Sequence, residues 1–164
     1  MSRGKDPESA KRRLAYRLER YAWLLAHCPD ERGRDTKAAV RRARRAVELQ
    51  QEGGDYRYTL AVVQYRNGDW RDSLETLERL KAGGGQFTAA GWFLVAMNRQ
   101  QLKQKEAAKS ALRSGVEWMA EQQRKAEEDP VIRFQYELRR PAFDALRREA
   151  QGLIEGKDSS KGVS

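Results

Sequence analysis

The sequence offers almost nothing from which a disulfide or a metal centre could be built. Its 164 residues hold one cysteine, Cys28, and one histidine, His27. A lone cysteine closes no internal disulfide, and zinc wants several His or Cys ligands together. Neighbouring residues on a helix point about 100° apart, so the adjacency of His27 and Cys28 does not make a nucleophile and its base. Long apolar runs are missing as well: none approaches the roughly 20 residues that span a bilayer. The start, Met1-Ser2-Arg3-Gly4-Lys5-Asp6-Pro7, is polar and lacks the apolar segment of a secretory signal. A cytoplasmic protein without a transmembrane segment is the expectation.

Constellations for chemistry are equally thin. Gly83-Gly84-Gly85 is not followed by the Gly-Lys-Ser/Thr that a phosphate-binding loop requires, so it reads as a linker. Glu127-Glu128-Asp129 clusters carboxylates, but it ends a polar helix just before Pro130, where nothing buries them. The expectation is therefore a non-catalytic protein with no cofactor, no metal and no catalytic residue.

Acidic residues are in deficit too. Lys and Arg number 33 against 24 Asp and Glu, a formal net charge of +9. Much of the excess lies in Lys11-Arg12-Arg13, Arg17 and Arg20, and in Arg41-Arg42 with Arg44-Arg45. Arg41 and Arg45 are i, i+4 neighbours opposite an Ala39/Ala43/Ala46 stripe, hence on one exposed face. Arg41, Arg42 and Arg45 form a candidate anion-binding face for nucleic acid or an anionic membrane. The competing account is that these arginines solvate the outside of a helical protein, with Glu48 and Glu52 as partners.

What the chain does have is a helix-turn-helix pattern that occurs clearly twice, at Tyr56–Lys81 and Gly91–Met119. Gly68 and Lys103 are 35 residues apart, as are the small residues Ser73 and Ala108. In the first copy, Leu60-Ala61-Val62-Val63-Gln64-Tyr65-Arg66-Asn67-Gly68-Asp69-Trp70 runs from one helix through a Gly-Asp turn into the next. Gly68 suits a left-handed helix terminus, and Asp69 suits the N-cap that follows. Ser73, Leu74, Leu77 and Leu80 then give an apolar stripe. The second copy keeps Trp92, Val95, Ala96, Ala108, Leu112, Gly115 and Val116, but has Leu102-Lys103-Gln104 at its turn.

This pattern resembles the tetratricopeptide repeat (TPR), a helix pair of about 34 residues that buries its apolar face only against its neighbours. Upstream, Tyr21 to Asp30 followed by Asp35 to Leu49 is similar to the lengthened repeat of bacterial TPR arrays, in which Cys-Pro-Asp opens a longer turn. The resemblance implies an all-α solenoid, a right-handed superhelix of about three helix pairs. Repeats fall at about 15–52, 54–87 and 89–122, with a capping segment at 130–155, all within a domain at 11–155. Residues 1–10 and 156–164 are expected to be disordered tails.

The resemblance also implies a function, that of a scaffold binding a protein or peptide segment in the concave groove lined by first helices. Its inward positions map onto Tyr58, Val62, Tyr65 and Arg66, then Phe93, Met97 and Gln100. In the lengthened copy they map onto Tyr16, Glu19 and Trp23. Trp70, Trp92 and Trp118 fall at packing positions, and Pro141 is expected to open a final helix with its stripe at Phe143, Leu146, Ala150 and Leu153-Ile154.

Overall fold

The computed structural model describes residues 6–51, 53–84 and 87–156. Among them are seven α-helices and no strand: α1 Pro7–His27, α2 Thr36–Leu49, α3 Gly54–Asn67, α4 Trp70–Ala82, α5 Ala89–Gln101, α6 Lys105–Glu128 and α7 Pro130–Glu155. The chain divides into two compact units, Met1–Gly85 and Gln86–Ser164, with the boundary inside the glycine-rich linker. Helices pack with their neighbours in sequence. In the first unit α1 packs on α2 and α3 on α4, while α3 also meets α1 and α2. In the second, α5 packs on α6 and α7 lies against both.

The first unit begins earlier than its composition suggests. Asp6 accepts from the backbone N–H groups of Glu8 and Ser9, and Pro7 supplies a helical φ at a position that needs no N–H. Residues 7–10, expected in a disordered tail, are therefore helical, and residues 1–5 lie outside the described residues. The core joins Ala22 and Ala26 of α1, Ala39, Val40 and Ala43 of α2, and Leu60 and Val63 of α3. Small side chains on both members of the α1–α2 pair let those helices approach closely. Between them, the Cys28 carbonyl accepts two bonds from the Arg34 guanidinium, at 3.1 and 3.2 Å, and Asp30 caps a 3-10 turn at Glu31–Gly33. Cys28 thus sits in a braced turn.

Both intra-pair turns follow one plan. Gly68 N–H donates to Tyr65 O and Asp69 N–H to Gln64 O; 35 residues on, Lys103 N–H donates to Gln100 O and Gln104 N–H to Arg99 O. Gly68 is left-handed at φ 86°, and Lys103 takes the same region at φ 63°. The following helix starts alike as well, with Ser73 N–H on Asp69 O and Ala108 N–H on Gln104 O. Asp69 departs from its expected role: its carboxylate makes no cap bond and instead accepts from Asn67 Nδ2 at 2.8 Å. Ser73, fully buried, donates to the Ala61 carbonyl at 2.7 Å and ties α4 to α3.

In the second unit, Phe93 and Met97 of α5 are core residues. A Cβ on Gly115 of α6 would come within 2.5 Å of the Phe93 ring, so only glycine lets this ring lie against the α6 backbone. Asp129 caps α7 by accepting from Val131 and Ile132 N–H, and Pro130 occupies its first turn. Pro141 does not open a new helix but stands inside α7, on its exposed side, where it forgoes one helical hydrogen bond. Phe143 and Ala150 are buried as the expected stripe requires. Gly156 ends α7 with a left-handed φ of 69°, and residues 157–164 lie outside the described residues.

Candidate partner-binding face

The first unit brings two helix faces together. Thr59 Oγ1 donates to Glu19 Oε1 at 2.9 Å, which seats the Tyr16/Glu19/Trp23 side of α1 beside the Thr59/Val62/Arg66 side of α3. Val62 is buried and forms a floor, while Tyr16, 59% exposed, and Arg66 stand in solvent. Tyr58 and Tyr65 are half-buried. Burial pushes the Tyr58 phenol up to about 12. The Arg66 guanidinium lies 5.7 Å from the centroid of the Tyr65 ring. Trp23 is half-buried and stacks on His27, with ring centroids 4.0 Å apart, and His27 Nδ1 lies 3.0 Å from the Trp23 carbonyl. Arginine and rigid rings over an apolar floor are what holds peptide segments at interfaces.

The second copy does not supply such a face. Phe93 and Met97, expected in an open groove, are 0% and 1% exposed, and Gln100 Nε2 donates to the Leu153 carbonyl of α7 at 3.4 Å. The Phe93 ring is buried against Gly115 of α6, its partner within the helix pair, and α7 packs along α5 as well as α6, with Gln100 bonded to it. Tyr16, Trp23, Tyr58, Val62, Tyr65 and Arg66 belong to one compact unit, and Phe93, Met97 and Gln100 to the other.

The arginine face is partly neutralised. Arg45 pairs with Glu48 at 2.8 Å, and Arg44 reaches Asp72 of α4 at 3.0 Å, both pairs exposed and hence weak. Arg42 lies over the Tyr21 ring at 4.7 Å. Arg41, Arg17 and Arg20 make no ion pair with any described carboxylate.

A cleft that sequence reasoning missed lies within the second unit. It encloses about 340 Å³ between the approach to α5, one face of α6 and one face of α7. Phe87, Trp118, Tyr136 and Phe143 line it, with the Trp118 and Phe143 rings edge to face at 5.5 Å. Trp118, read as a packing residue, is therefore also a wall. The signal was present as spacing: Trp118, Gln122 and Lys125 share one face of α6, and Ile132, Gln135, Tyr136, Arg139 and Phe143 one face of α7. What the sequence lacks is the pairing of the two faces.

No group of metal-ligating side chains occurs among the described residues, and no described helix is long and apolar enough to cross a membrane. No protein-family model matches the chain, and neither a curated protein nor a solved structure is significantly similar to it.

Proposed function

We propose that the chain is a TPR-like helical-repeat scaffold of the cytoplasm that captures an extended or helical peptide segment of a partner protein on the joint α1–α3 face. The observation that carries this reading is the Glu19–Thr59 hydrogen bond, which ties the side of α1 that carries Tyr16 and Trp23 to the side of α3 that carries Val62 and Arg66. The repeated turn at Gly68 and Lys103 supports the repeat itself. Tyr65 and Arg66 supply an aromatic anchor and a forked cation, and Val62 the apolar floor between them. The reading is tested by selecting ligands from a random-peptide display library with the whole chain and mapping the bound peptide by amide hydrogen exchange. Slowed exchange confined to residues 16–23 and 58–66 supports it; slowed exchange elsewhere with these segments unchanged refutes it.

A second reading rests on the arginines without described carboxylate partners. Arg17, Arg20 and Arg41, with Arg42 over Tyr21, form a basic surface suited to phosphates of nucleic acid or of an anionic bilayer.

A further inference from the structure

We propose that the cleft between α6 and α7 is a binding site for a small organic anion with an aromatic body. Its volume of about 340 Å³ falls within the range of small-molecule sites, which combine apolar walls with a few placed polar groups. Four rings supply those walls, and the perpendicular Trp118 and Phe143 rings present both an edge and a face to a flat guest. The charged groups are of one sign, beside the neutral Thr88. Lys125 enters from α6 and Arg139 from α7, the amides of Gln122 and Gln135 stand beside them, and no carboxylate lines the cleft among the described residues.

These cations differ in availability. Lys125 shares Glu121 at 3.5 Å on the exposed side of α6. Arg139 makes no ion pair with any described carboxylate, which leaves its planar fork for a guest. A neutral aromatic would gain the walls but leave both cations as they are. An anion without an apolar body would gain only what any solvated cation offers, so the pairing of walls and rim selects a molecule that has both parts.

The experiment uses the whole chain with 2-naphthoate and its neutral isostere 2-naphthamide, followed by protein NMR at the Trp118 indole N–H and by calorimetry. The naphthoate should bind saturably with a shift of the Trp118 signal, about tenfold more tightly than the amide, as one charge-assisted hydrogen bond provides. Arg139→Gln, a change at an exposed residue, should bring naphthoate affinity down to that of the amide, while Arg113→Gln on the exposed side of α6 should leave it unchanged. Equal affinity for acid and amide, equal loss in both variants, or no saturable binding of either compound would each overturn the proposal.

Discussion

Lys103 repeats, 35 residues on, the left-handed backbone of Gly68, and both residues donate their N–H to a carbonyl three positions back. The chain holds this geometry with a side chain that disfavours it. A left-handed L-residue costs roughly 1–2 kcal/mol, from which glycine's greater freedom in the unfolded chain subtracts about 0.5–1 kcal/mol. Lys103→Gly should therefore stabilise the protein by about 0.5–1 kcal/mol, and Gly68→Ala should destabilise it by a similar amount. Urea denaturation of the two variants checks both signs, and no loss in Gly68→Ala would remove the argument.

The core assignment of Phe93 gives a second contrast. Phe93→Ala should cost about 3–5 kcal/mol, because the ring is fully buried against Gly115, whereas Tyr16→Ala should stay within about 0.5 kcal/mol. Leu77→Ala, at a fully buried site on α4, should fall at about 2–5 kcal/mol. Denaturant midpoints order the three, and a Phe93→Ala effect as small as that of Tyr16→Ala would return Phe93 to an open surface.

Much of the fold was legible because its signals are local. The Gly68 turn and the alanine stripe Ala39/Ala43 are each decided within a few residues of sequence. Asp69 was not, since Asn67 competes for its carboxylate and no pattern weighs that competition. Pro141 misled for a related reason: a proline disfavours a helix interior, and what carries α7 through it is the packing of Tyr136, Phe143 and Ala150 on both sides of it, a tertiary fact. The site divided in the same way. The resemblance gives Tyr58 and Phe93, 35 residues apart, the same inward position, yet Tyr58 is half-buried while Phe93 is fully buried against Gly115 of α6, a packing that no repeat period encodes.

The raised pKa of Tyr58 makes a pH prediction whose sign is fixed. With an unfolded value near 10 and a folded value of about 12, the unfolded chain loses this proton first, so the stabilising contribution is complete below pH 10 and is lost as pH rises toward 12. At pH 11 the wild type should have lost about 1.4 kcal/mol relative to Tyr58→Phe, beyond any difference at pH 9. Parallel stability curves for the two proteins between pH 9 and 11 would show that Tyr58 titrates as in the unfolded chain.

Charge separates the two functional readings. Reversing Arg41 and Arg45 to Glu should weaken any nucleic-acid binding and flatten its dependence on salt, because fewer counterions are then released. The wild type is expected to bind nucleic acid weakly and without sequence preference. Fluorescence anisotropy across a salt series checks this, and tight binding that persists at high salt and discriminates sequences would place the basic surface first.

The central claim, that the joint α1–α3 face holds a peptide segment, is tested most directly by the affinity of one display-selected peptide for the wild type, Tyr65→Ala, Arg66→Ala and Arg41→Glu. Truncating an aromatic or arginine anchor commonly costs about 2 kcal/mol, roughly thirtyfold in Kd. The account predicts that loss for Tyr65→Ala and for Arg66→Ala in proteins that remain folded, with Arg41→Glu unchanged. Affinity that survives both truncations, or falls only in Arg41→Glu, would contradict it.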